Sequence, residues 1–138
     1  MLGLTACGSS SSSSGSDKST TTTKAEAQAP VSLSGKVTNK GTKDISTKGA
    51  TTSLELEAYD FYFEPTFIKV APGQKISVEL KNAGSVAHTF TAPSLGIDQE
   101  VQAGAKITVE VTVPTSGNAA FYCRFHKDSG MQGAMFVG

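Results

Sequence analysis

The sequence predicts an all-β fold, an antiparallel β-sandwich. Three observations carry this prediction. Apolar and polar residues alternate through several short stretches, turn-forming residues separate those stretches, and no segment keeps a helical period for the length of a helix. Successive side chains on a strand point to opposite faces, so strict alternation marks a strand with one buried and one wet face.

The alternation begins in SLELEAYDFYF, residues 53–63, where Leu54 and Leu56 share a face before the run turns aromatic. In KISVELKN, residues 75–82, Ile76, Val78 and Leu80 face one way and Ser77 and Glu79 the other. AKITVEVTVP, residues 105–114, sets Ile107, Val109, Val111 and Val113 against Thr108, Glu110 and Thr112. AAFYCRF, residues 119–125, sets Phe121 and Cys123 against Tyr122 and Arg124, and GAMFVG, residues 133–138, reads as a short closing strand. Ala71-Pro72-Gly73, Asn82-Ala83-Gly84, Ala103-Gly104 and Ser116-Gly117-Asn118 are the turns between them. Short half-buried strands at regular spacing point to a sandwich, and no internal repeat divides it.

A composition shift divides the chain of 138 residues into an N-terminal extension and one domain. Residues 8–53, GSSSSSSGSDKSTTTTKAEAQAPVSLSGKVTNKGTKDISTKGATTS, contain almost no large apolar side chains and read as a flexible linker. Such a stretch buries too little surface to offset its ordering entropy. The alternative is that Val31–Val37 adds an edge strand to the domain. Residues 54–138 hold nearly all the large hydrophobic residues and form the expected domain. Charge divides with them. The linker carries six lysines against Asp17, Glu26 and Asp44, while the domain carries six cationic residues against nine acids, a net of −3. An acidic domain lacks the basic patch that nucleic acid requires, so nucleic acid is not an expected partner.

Residues 1–7 read as the remnant of a bacterial lipoprotein signal peptide. Leu4-Thr5-Ala6-Cys7 matches the lipobox, an aliphatic residue and two small ones before the cysteine that is lipidated. A full signal would add a basic region and a longer apolar stretch before it. This predicts an extracytoplasmic protein anchored to the cell membrane through Cys7; no stretch approaches the ~20 apolar residues of a membrane span. The alternative for Cys7 is a disulfide with Cys123, which would tie the tip of a linker to the end of a sheet. Otherwise Cys123 is a free thiol in an oxidising compartment, where a bound metal would protect it.

Ligand chemistry concentrates near the C-terminus. FYCRFHKDSGM, residues 121–131, contains Cys123, His126 and Met131, although the chain has only two cysteines, two histidines and three methionines. Taken singly, each residue has a commoner use: cysteine as a small hydrophobe, methionine as a gap filler, histidine as a hydrogen-bonding group. Together with His88 in GSVAHTF they offer a thiolate, two imidazoles and a thioether. A trigonal His₂Cys set with a weak axial methionine suits copper in electron transfer, whereas thioether is a poor ligand for zinc. The spacing is serviceable. Cys123 ends a strand, Arg124-Phe125 begin a loop that returns His126, and Lys127 to Gly130 let Met131 approach from another direction. Gly130 is free to take unusual dihedrals, and Gly133 is expected to do the same at the start of the final strand.

The run Tyr122-Cys123-Arg124-Phe125-His126-Lys127-Asp128-Ser129-Gly130-Met131-Gln132-Gly133 resembles the copper loop of the cupredoxins, in its plastocyanin and pseudoazurin version. PGQKISVELKNAGSVAHTF resembles the strand-turn-strand that delivers their first histidine. The resemblance covers residues 54–138 and implies a Greek-key β-sandwich or barrel holding one copper, as Cu(I) or Cu(II), per domain. It implies His88, Cys123 and His126 as equatorial ligands and Met131 as the axial one. It implies further that His126 lies near the surface, where its edge admits electrons. Tyr122 would face a second, more remote docking surface, and Phe121 would be a core aromatic. Two positions depart from the pattern. Thr89 stands where plastocyanins usually have asparagine, and Arg124-Phe125 replace the small residue and proline often found there.

The function this implies is that of a type 1 (blue) copper protein, a one-electron carrier between membrane-associated redox proteins. The domain is expected to be monomeric, and a linker of some 45 residues would give it a root-mean-square reach of about 35–40 Å. The alternative is a copper chaperone or store without an electron-transfer role. An enzyme is not expected. Multicopper oxidases need further His-x-His pairs and more domains, and a Cys–His hydrolase would leave Met131 and one histidine without a role. A two-cysteine copper centre needs a second cysteine in the domain.

Overall fold

In the computed structural model, residues 30–138 are described; Cys7, the lipobox and the first part of the expected linker lie outside them. Among the described residues ten strands carry the fold: β1 (Thr42–Asp44), β2 (Thr51–Tyr59), β3 (Tyr62–Glu64), β4 (Phe67–Val70), β5 (Lys75–Asn82), β6 (His88–Ala92), β7 (Ile97–Val101), β8 (Lys106–Thr112), β9 (Asn118–Tyr122) and β10 (Gln132–Val137). They make a six-stranded sheet in the order β1-β4-β10-β9-β6-β7 and a four-stranded sheet in the order β3-β2-β5-β8. Among the described residues no helix is long and apolar enough to cross a membrane.

The alternation seen in the sequence sets the faces. Ile76, Val78 and Leu80 of β5 are buried, as are Leu54 and Leu56 of β2 and Val109 and Val111 of β8. From the other sheet Phe90, Phe121 and Cys123 enter the same apolar cluster. Phe121 lies 5.0 Å from Phe90 and 5.1 Å from Phe63, centroid to centroid, so aromatic packing joins the sheets directly beneath Cys123.

The sandwich is as predicted, but its sheets are mixed rather than wholly antiparallel. β2 pairs with β5, β4 with β10, and β1 with β4 in parallel. Connectivity explains this. Between β2 and β5 the chain crosses to the other sheet as β4 and returns, so β5 arrives beside β2 running the same way.

The expected boundary at residue 54 also changes. β2 begins at Thr51, and residues 30–50 lie against the sandwich rather than forming a linker. The edge strand is Thr42–Asp44; Val31–Val37, the alternative candidate, contains none. Ile45 is only 2% exposed and joins the core. Side-chain amides take up the backbone of this polar segment. Gln74 Nε2 donates to the Ile45 and Gly49 carbonyls at 2.9 and 2.7 Å, and Gln132 Nε2 to those of Ser34 and Lys36 at 2.8 and 2.7 Å. Thr66 Oγ1 accepts from the Lys40 amide at 2.7 Å. Low apolar content misled the sequence reading because one isoleucine and two buried glutamines suffice to hold the segment down.

Replacing Ile45 with alanine is therefore expected to lower stability by about 2–5 kcal/mol, the usual cost of emptying a buried isoleucine site. Urea unfolding of the two proteins measures it, and equal midpoints would restore the linker reading.

Candidate metal centre

The two strands that deliver the centre pair only briefly. β6 meets β9 at Thr91 and Tyr122. Continued by that register, Thr89 would lie opposite Arg124 and exchange backbone hydrogen bonds with it. Side-chain atoms take both bonds instead. The Thr89 amide donates to Cys123 Sγ at 3.4 Å, and the Arg124 amide donates to Thr89 Oγ1 at 2.8 Å.

In this gap the predicted residues converge. Cys123 Sγ lies 3.8 Å from His88 Nδ1 and 3.5 Å from His126 Nδ1. The sulfur and one nitrogen from each histidine all lie within 4.8 Å of one another. His88 and Cys123 are buried, while His126 is half-buried. Met131 is fully buried in the same cluster as Cys123. Its carbonyl accepts from the Cys123 amide at 3.0 Å and its amide donates to the His126 carbonyl at 3.3 Å, which folds the loop back on itself.

Gly130 has a φ of +101°, as expected of it. A Cβ there would also strike Thr38, whose amide donates to the Gly130 carbonyl at 2.9 Å. Gly133 is needed for a different reason than expected. Its φ is not positive, but a Cβ would fall on the Thr66 carbonyl and press on Phe121.

Tyr122 stands apart from the cluster. It is half-buried, on the opposite side of β9 from Phe121 and Cys123, with the Lys127 ammonium 4.7 Å from its ring centroid.

Thr89, the first departure from the family pattern, ties the loop with its hydroxyl. That hydroxyl meets Thr91 Oγ1 at 3.0 Å, and Thr91 Oγ1 donates to Asp98 at 2.9 Å. The second departure closes the same chain, since Arg124 Nε donates to Asp98 at 2.7 Å. Arg124 and, after it, Thr91 hold the Asp98 carboxyl below its ordinary value.

Asp60 and Phe61 were not anticipated. They form the turn between β2 and β3, where an aspartate looks like ordinary turn chemistry. His88 Nε2 lies 2.9 Å from Asp60 Oδ1, and the Ser85 hydroxyl and amide also donate to this carboxylate at 2.5 and about 3.0 Å. These contacts, Ser85 first and His88 after it, hold the Asp60 carboxyl down to about 2. Burial pushes His88 below its ordinary value, against the pull of Asp60. A neutral imidazole donating from Nε2 leaves Nδ1 free as a ligand. Phe61 lies 4.5 Å from the His126 ring, and Phe61, Val86 and Phe125 are exposed large hydrophobic side chains.

The donor set fits a soft or borderline cation: a buried thiol with a hydrogen bond to its sulfur, two convergent imidazole nitrogens, and a buried thioether on the same loop.

A family model for the cupredoxin-like domain matches residues 5–137. No curated protein sequence matches the chain. Among solved structures, auracyanin from Roseiflexus castenholzii is 20% identical, with a TM-score of 0.55 over 65% of this chain and 99% of that one. The metal-binding domain of the Cu(I)-exporting P-type ATPase CopA from Streptococcus pneumoniae is 14% identical, with a TM-score of 0.60 over 70% of this chain and 95% of that one. A multicopper oxidase is 16% identical, with a TM-score of 0.53 over 63% of this chain but only 42% of that one. At such identities the likeness is one of fold.

Thr89→Val keeps the volume and removes the acceptor of the Arg124 amide. It is expected to speed hydrogen exchange at that amide by about tenfold or more, in line with the roughly 1–3 kcal/mol cost of orphaning a donor. Unchanged exchange would mean that the hydroxyl does not hold the loop.

Proposed function

The chain belongs to the cupredoxin-like domain family, and from that premise we propose that it is a type 1 (blue) copper protein carrying single electrons between membrane-associated redox proteins. The observation that supports this best is the convergence of Cys123 Sγ with two imidazole nitrogens within 4.8 Å. His88, Cys123 and His126 would hold one copper equatorially, with Met131 as the axial ligand. Copper bound there would supply one-electron exchange between Cu(II) and Cu(I).

The chain's own residues set the conditions for that exchange. The Thr89 amide directs a hydrogen bond at Cys123 Sγ and steadies the thiolate. The ties among Cys123, His126 and Met131 hold the loop before any ion arrives. Four protein ligands leave no place for a substrate, which favours a carrier over an enzyme. His126 would be the electron port. It is half-buried beside Phe61 and Phe125, so a partner covering this apolar rim would bring its own redox group close to the ligand ring. Tyr122 would offer a second, more remote port.

Lipidation of Cys7 would anchor the protein outside the cytoplasm. The half-buried His126 edge would also serve a chaperone that hands copper to an acceptor. Metal exchange separates the two readings: a carrier keeps its copper through repeated redox cycles, while a chaperone loses it to an acceptor protein.

On addition of Cu(II) the protein is expected to turn intensely blue and to cycle reversibly at an electrode. Cys123→Ser abolishes the intense band, and Met131→Leu shifts the potential while the site keeps its ion. A colourless Cu(II) adduct of the unaltered protein would overturn the proposal.

A further inference from the structure

The Asp60–His88 contact supports an inference that rests on the copper reading and goes beyond it. We propose that Asp60 is a positioning residue of the centre: its carboxylate fixes the His88 ring with Nδ1 toward Cys123 and favours Cu(II) over Cu(I), lowering the reduction potential.

Three observations carry this. His88 has no exposed side-chain surface, yet its Nε2 lies 2.9 Å from Asp60 Oδ1, so the proton on that nitrogen meets a carboxylate rather than water. The carboxylate is itself held by the amide and the hydroxyl of Ser85, which leaves it little freedom to turn away. The backbone is shaped for the contact as well. A Cβ at Gly84 would collide with the Asp60 carboxylate and stand 2.9 Å from His88 Nε2, so the pair could not keep its present placement with a side chain at position 84.

A carboxylate accepting from the distal nitrogen of a ligating histidine fixes its tautomer and makes it a stronger donor. It also adds a negative charge at the edge of a buried site, where charges are poorly screened. That charge interacts more strongly with Cu(II) than with Cu(I). The affinities of the two ions must therefore change by different factors when it is removed, and the potential must follow their ratio.

The same turn could serve only to brace the Ser85 loop, so the test separates charge from bracing. Asp60→Asn keeps an oxygen for the His88 N–H and an amide that can donate to the Ser85 hydroxyl, but removes the charge. Cu(II) and Cu(I) affinities are measured by chelator competition on the full chain, and the potential by voltammetry. The expected result is a loss of about 10–100-fold in Cu(II) affinity, a smaller loss for Cu(I), and an upward shift in potential. Equal losses for the two ions, or none, would overturn the proposal.

Metal-free protein gives an independent readout. Nitrogen NMR is expected to show His88 as the Nε2–H tautomer in the unaltered chain and as a mixture in Asp60→Ala, with both proteins folded by thermal unfolding. An Nδ1–H tautomer in the unaltered chain would overturn the positioning role without reference to copper. Failure of the unaltered chain to bind copper would instead overturn the copper reading, while the tautomer measurement would still decide the contact.

Discussion

Everything at the candidate centre depends on where β6 and β9 stop pairing. A continued ladder would carry the two strands side by side past Thr89 and Arg124 and leave no gap between them. A clean separation would leave the buried Thr89 amide and the part-buried Arg124 amide without partners. The chain resolves this by giving each amide a side-chain acceptor: Cys123 Sγ for Thr89 and Thr89 Oγ1 for Arg124. The strands stay tied where their ladder stops, and the ligand atoms of His88, Cys123 and His126 converge beside the tie. The tie extends through Thr91 to the Asp98–Arg124 pair at the surface, so both the backbone and the side chain of the first residue after Cys123 are held.

The N-terminal segment has a related role on the other side of the loop. Residues 34–38 run beside Gly130 and Gln132: the Ser34 and Lys36 carbonyls accept from the Gln132 side chain and the Thr38 amide donates to the Gly130 carbonyl. Gly130 is the point of closest approach, since any side chain there would push Thr38 away. The ligand loop is therefore enclosed between the Thr89 tie and this segment. Such enclosure holds the ligand-bearing loop from two sides and so favours a single arrangement of its donor atoms.

Much of this was legible in the sequence. The period-two runs gave β2, β5, β8 and β9 with their buried faces, because one wet and one dry side leaves a strong pattern, and β10, buried along most of its length, was legible only as a short apolar closing run. Ligand chemistry and spacing singled out His88, Cys123, His126 and Met131, since few side chains combine softness with such rarity in one chain. What escaped was short or polar. β7 is an edge strand with exposed Asp98, Gln99 and Glu100 at its centre, and β1 is three exposed residues, so neither shows alternation. The packing of residues 30–50 rests on a single buried isoleucine and on glutamine amides reaching backbone carbonyls, which leaves little hydrophobic trace. Asp60 was hidden by its setting, for aspartate in a tight turn needs no further explanation. Its link to His88 spans 28 residues and exists only once the sandwich has formed.

That turn shows how the fold concentrates several constraints at one end. β2 and β3 pair up to Tyr59 and Tyr62, whose rings stack at 5.0 Å, so the two residues between them project from a rigid hairpin. Asp60 reaches inward to the buried histidine and Phe61 lies over the half-buried one. One histidine begins a strand and the other lies on the loop after β9, and they differ in exposure, yet one tip contacts both. A shift of the hairpin would disturb the inner ligand's orientation and the outer ligand's cover together. The hairpin therefore belongs to the centre as much as the loop that carries three of its four candidate ligands, although it contributes none of them.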